Sequence, residues 1–107
     1  MQSIERYEVV YMQGHSFTLD LAKDAQVLTA DLDAAEKNIK YLYVLTDADA
    51  TKVTRHFLVA ETGEPLMNGV GRYVPVWSYR PRLSKRQRHL LEIIAVEEIV
   101  KGKKTVS

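Results

Sequence analysis

The chain has 107 residues and no cysteine, with 15 Lys+Arg against 14 Asp+Glu for a formal net charge of +1. That length suits one domain, since domains run to about 100–150 residues and a core of this size folds without disulfide or metal staples. The composition, 46% hydrophobic and 27% charged, excludes a disordered chain, and the missing cysteines exclude thiolate zinc sites and cysteine nucleophiles.

The first two-thirds of the sequence alternates apolar and polar residues with the period of two that marks strands. Tyr7, Val9 and Tyr11 point one way, and Gln13 and Gly14 interrupt them. Phe17, Leu19 and Leu21 alternate next, then residues 27–32 form a third β-compatible segment after Lys23 and Asp24 turn the chain. Residues 34–38 read as a connector or a single helical turn too short to stand alone. Residues 39–46 place Tyr41, Tyr43 and Leu45 on one face and Leu42 and Val44 on the other, which predicts a central strand buried on both sides. Residues 47–50 are turn chemistry, and residues 53–60 follow with Val53, Phe57 and Val59 inward. Gly63 and Pro65 end that strand, Gly being free to take positive φ.

Residues 72–79 put Tyr73, Trp77 and Tyr79 on one face and Val74 and Val76 on the other. Pro75 has no N–H, so this strand belongs at a sheet edge or carries a bulge. Residues 84–100 read two ways. Ser84 and Gly102 would bound a helix, but Lys85, Arg86 and Arg88 oppose its dipole at one end and Glu97 and Glu98 at the other. The β-branched content of residues 90–100 favours a closing strand. The expectation is a mainly β fold, a small antiparallel β-sandwich or barrel of six to seven short strands with at most one helix, C-terminal if present. Residues 1–100 form the single β-rich domain, and residues 101–107 are a flexible basic tail.

The near-neutral charge averages two unlike parts. Residues 1–66 hold eleven acids and six bases, a net of −5, whereas residues 67–107 hold nine bases and three acids, a net of +6. Such asymmetry points to a charged partner or to self-association. No apolar run approaches the ~20 residues that span a bilayer, and residues 1–6 do not resemble a signal peptide. A cytoplasmic protein without membrane contact is the expectation.

Several segments resemble a family of short bacteriophage and prophage proteins of unknown function. They are Arg6-Tyr7-Glu8-Val9, Phe17-Thr18-Leu19-Asp20, Ala25-Gln26-Val27-Leu28, residues 41–47 and residues 55–66. The likeness spans about two-thirds of the chain, and it departs from the family pattern at Glu61, Glu64 and the length of residues 80–88. It implies a small β-rich protein acting in a host cell, and it carries no activity, cofactor or catalytic residue.

No chemistry emerges from the residues themselves. His15, His56 and His89 lie on different segments without metal-ligand spacing and read as solvated. Ser16 lacks a nucleophile elbow, and Asp47-x-Asp49-x-Thr51 has Lys52 and Leu58 where a calcium loop needs Gly and Glu. Gly69-x-Gly71 is not followed by a helix, as a phosphate-binding fingerprint would be. A non-enzymatic protein without metal or cofactor is therefore expected.

One segment stands out. Arg72, Tyr73, Trp77, Tyr79, Arg80, Arg82, Lys85, Arg86 and Arg88 interleave bases with aromatics. Trp, Tyr and Arg dominate protein-interface energetics, so a protein partner, host or phage, is the first expectation. The same set offers phosphate neutralisation and stacking faces, so a single-stranded nucleic acid is the alternative. A structural virion or assembly component, and a homo-oligomer, are further readings.

Overall fold

The computed structural model describes residues 1–95. Seven strands follow in chain order: β1 (Gln2–Glu8), β2 (Ser16–Ala22), β3 (Gln26–Leu32), β4 (Ile39–Asp47), β5 (Lys52–Glu61), β6 (Gly71–Tyr79) and β7 (Arg88–Ala95). They form two antiparallel sheets, one ordered β1-β4-β3 and the other β2-β5-β7-β6. Among the described residues the helical content is a three-residue 3-10 turn at Gln13–His15. Residues 34–38 are a connector of turns and bends, the first of the two forms expected of them.

The alternation of β2 and β5 explains how the sheets meet. Phe17 pairs with Phe57, Leu19 with Arg55 and Leu21 with Val53 across the two strands. Directly opposed residues share a face, so these side chains line one inner surface. The facing sheet contributes Ile39, Leu42 and Val44 from β4, and Leu90 of β7 completes the centre. Phe17, Leu21, Ile39, Leu42, Val44, Phe57 and Leu90 are all buried. The Phe17 and Phe57 rings stack with centroids 5.2 Å apart at 14°.

Three expectations are corrected by this layering. β4 is central in its sheet, but from Tyr41 onward only its Leu42, Val44, Thr46 face is buried; Tyr41, Tyr43 and Leu45 are half-exposed because a two-layer sandwich covers each sheet once. Val53 has the inward parity of Phe57 yet is 43% exposed, since it lies near the beginning of β5. Tyr73 does not share a face with Trp77 and Tyr79. Pro75 pairs with Leu91 but Trp77 pairs with Leu90, so Val76 is an extra residue. That bulge reverses the alternation, turning Tyr73 outward with Ile93 and turning Trp77 inward with Leu90.

The strand at residues 88–95 is not an edge. β7 lies between β5 and β6, and β6, with its Pro75 and its bulge, is the edge. Both halves of the Pro75 expectation therefore hold. Residues 96–100, included in the same expectation, and the tail at 101–107 lie outside the described residues.

Tyr11, in the connection between β1 and β2, gives the fold a measurable pH limit. Its hydroxyl donates to the Ile39 carbonyl at 3.0 Å, and its ring meets Phe17 edge-on at 5.6 Å. Burial, with a smaller contribution from neighbouring Tyr79, pushes its pKa up to about 12. The folded state thus holds the neutral phenol more strongly than the unfolded chain does, where tyrosine ionises near ~10. The associated stability is complete below that unfolded value and is lost as pH rises toward about 12. Alkaline titration followed at 295 nm should show Tyr11 ionising late, with the midpoint of urea unfolding falling over the same window. Tyr11→Phe should lack that late phenolate.

Candidate functional site: a basic loop and its cleft

The β6–β7 hairpin carries a loop at residues 80–87, and that loop is built rigidly. The Ser84 N–H donates to the Pro81 carbonyl at 3.1 Å, closing a turn over Arg82 and Leu83. The Ser84 hydroxyl donates to the Arg86 carbonyl at 3.1 Å. Thr62, just past the end of β5, donates its N–H to the Gln87 carbonyl at 2.9 Å and its hydroxyl to the same oxygen at 3.1 Å.

A second clamp joins the loop to the β3–β4 connection. The Arg82 N–H donates to the Glu36 carbonyl at 3.3 Å. Lys37 O accepts from the Tyr79 hydroxyl at 3.0 Å and from Arg88 Nη1 at 2.8 Å, and Arg88 also reaches Asn38 Oδ1 at 3.0 Å. Asp33 anchors that connection by accepting the Lys37 N–H at 2.9 Å, a bond that holds its carboxyl below the usual range.

This arrangement divides the nine candidate residues. Arg80, Arg82, Lys85 and Arg86 are exposed on one loop. Arg72 is exposed too, but it stands eight residues away along β6, about 25 Å at the ordinary strand rise. Tyr73 is on the outer face and donates its hydroxyl to the Met67 carbonyl at 2.8 Å. Tyr79 is 7% exposed and belongs to the core, with Trp77 stacked on it at 5.4 Å. Arg88 is half-buried in the clamp and within 3.9 Å of Glu61. Pairing of bases with stacking aromatics on one surface is therefore corrected: the bases gather at the loop, and the rings of Trp77 and Tyr79 turn toward the core.

Leu83 was not among the candidates, and it is the most unusual residue of the loop. It is 98% exposed and has φ +63°. Left-handed backbone is disfavoured for a residue bearing a Cβ, and Gly or Asn is its ordinary occupant in such turns. A sequence signal existed, since, Pro81 apart, Leu83 is the one apolar residue within the polar stretch at residues 80–89.

His89 also differs from expectation. It is not merely solvated: Nδ1 lies 2.8 Å from the Ser78 hydroxyl and Nε2 2.8 Å from the Thr62 hydroxyl. Because Thr62 donates to Gln87, its oxygen accepts from Nε2–H, leaving Nδ1 to accept from Ser78. His89 thus ties β6 and β7 to the Thr62 turn. His15 and His56 are exposed, as expected. Among the described residues no three His, Cys, Asp or Glu side chains form a group able to hold a metal.

An open cleft of about 530 Å³ lies between the Thr62–Gly63 turn and the loop, lined by Thr62, Gly63, Arg80, Lys85, Arg86 and Gln87. Gly63 takes φ +89° at the third position of a turn closed by Glu64 N–H to the Glu61 carbonyl at 2.9 Å. A Cβ there would meet only the Arg86 guanidinium, 4.0 Å away in ordinary contact, so the positive φ and not a lack of space is what suits glycine. Glu61 faces Arg86 at 3.6 Å.

The sequence model of a family described as a domain of unknown function, DUF7352, matches residues 1–81. The chain belongs to that family. The DUF7352 match takes in β1 to β6 and stops at Pro81, so Arg82, Lys85 and Arg86 follow the matched residues. No curated protein and no solved structure matches the chain. Among the described residues no helix is long and apolar enough to cross a membrane.

Proposed function

We propose that this DUF7352 protein is a non-enzymatic binding protein whose partner is another protein, docked on the loop at residues 80–87. The observation that carries this reading is Leu83, fully exposed in a backbone conformation its side chain disfavours. Local rules broken without local compensation are the mark of a site kept for function. An apolar anchor ringed by Arg80, Arg82, Lys85 and Arg86 suits an apolar pocket with an acidic rim. The two clamps hold the loop before binding, which spares ordering entropy on association. The resemblance to phage and prophage proteins makes a host or phage protein in the cytoplasm the first partner class to seek.

Leu83→Gly tests this directly. Relief of the left-handed strain should raise stability by about 0.5–1 kcal/mol in urea unfolding, since the exposed side chain makes little packing contact. The same substitution should reduce specific capture of the partner from a bacterial lysate at least tenfold. Unchanged recovery of the same partner would overturn the reading.

The four exposed cations favour a second reading, a single-stranded nucleic acid. The inward placement of Trp77 and Tyr79 weighs against it, because base stacking needs free ring faces. Salt-sensitive binding of labelled oligonucleotides, lost with the loop arginines but kept in Leu83→Gly, would select it.

A further inference from the structure

We propose that the cleft between Thr62–Gly63 and the loop binds a phosphate monoester carried on the partner's side chain. This deepens the docking reading above by naming a second chemical feature of the partner. Three cations, Arg80, Lys85 and Arg86, line one cleft of about 530 Å³. Like charges gathered in one place repel, and an anion among them removes that repulsion. Among the described residues neither Arg80 nor Lys85 has a carboxylate within salt-bridge distance, and Arg86 has only Glu61, at 3.6 Å.

Geometry selects the kind of anion. A guanidinium presents a planar fork of donors that matches two oxygens of a phosphate, and an ammonium adds a mobile point charge. A phosphorylated side chain carries about −1.5 to −2 charges and three acceptor oxygens, enough to engage all three cations at once. A nucleic acid would instead spread single charges along a track with free aromatic faces beside it. Here the cations converge on one cleft, and Trp77 and Tyr79 are turned into the core side. The walls are set beforehand by the Thr62–Gln87 and Ser84–Arg86 hydrogen bonds. Glu61 holds Arg86 in the interim and would yield it to a more highly charged phosphate.

The test is titration of the full chain with inorganic phosphate at constant ionic strength, followed through backbone amide NMR shifts. Saturating shifts at Gly63, Lys85 and Gln87, with an apparent Kd of about 1–10 mM, are expected for a single small anion. Arg80→Gln with Lys85→Gln should weaken binding at least fivefold, and Glu61→Gln should tighten it by freeing Arg86. A phosphoserine peptide should bind more tightly than phosphate and its unphosphorylated form should not bind. Linear shifts matching those of added sodium chloride, or indifference to the Arg80/Lys85 pair, would overturn the proposal. Oligothymidylate binding tighter than the phosphopeptide through the same amides would overturn it in favour of a polynucleotide. Leu83→Gly should leave phosphate binding intact. Phosphate binding without Leu83-dependent capture therefore removes the docking reading alone, and the converse removes the phosphate site alone.

Discussion

Replacing Phe57 by Ala is expected to lower the stability of this domain by about 3–5 kcal/mol, the range for deleting a buried aromatic ring. Phe57 is fully buried in the core that the two layers share. It pairs with Phe17 across β2 and with Glu92 across β7, and its ring stacks on Phe17. The Arg55 guanidinium lies 5.9 Å from its centroid, adding a weak cation–π contact. Domains of this size are stable by roughly 5–15 kcal/mol, so the loss is a large share of the total. Urea unfolding followed by circular dichroism should show a lower midpoint with little change in slope. Phe57→Leu should cost less, because much of the volume is kept. A loss under about 1 kcal/mol for Phe57→Ala would mean that the layers do not meet at this ring.

The second large effect concerns two charges on the inner face. Arg55 Nε donates to Glu92 Oε2 and Nη2 donates to Oε1, both at 2.7 Å, while Nη1 reaches the Ala22 and Ala25 carbonyls at 3.1 and 2.7 Å. The two side chains are 14% and 18% exposed. This bidentate pair joins β5 to β7 and secures the turn from β2 to β3. Glu92→Ala leaves a mostly buried guanidinium without its counter-charge, with an expected loss of about 2–4 kcal/mol after allowing for the remaining solvent contact. Arg55→Met combined with Glu92→Leu should recover part of that loss, because neither residue then carries an unpaired charge, although the Ala22 and Ala25 carbonyls lose their donor. The comparison isolates the coupling between them, since the two single substitutions should sum to far more than the double. Additive losses would instead show two independent packing defects.

That pair also shows what was legible beforehand and what was not. Arg55 shares parity with Phe57 and Val59, and Glu92 interrupts an apolar run, so each charge taken alone violates its own strand's pattern. Periodicity could place both on an inner face. It could not show that β7 lies beside β5 with Phe57 opposite Glu92, the register that lets the carboxylate reach Arg55. The candidate surface divides in the same way. Arg80, Arg82, Lys85 and Arg86 could be read as exposed because long charged side chains seldom bury unpaired. Trp77 and Tyr79 could not be separated from Tyr73, because the bulge at Val76 that reverses the alternation depends on pairing with β7.

The opening +1 is thus the sum of parts whose placement matters more than their total. Local pattern alone fixed the β class, nearly every strand, the turns and the basic character of residues 80–88, since side-chain alternation and turn chemistry act over a few residues. Tertiary structure decided that Arg80, Arg82, Lys85 and Arg86 face solvent while Trp77 and Tyr79 turn inward, that Leu83 stands among those bases, and that Thr62 and Gly63 close a cleft beside Arg86. Those facts depend on strand neighbours distant in sequence. Only register and layer packing determine which of two opposite faces meets water.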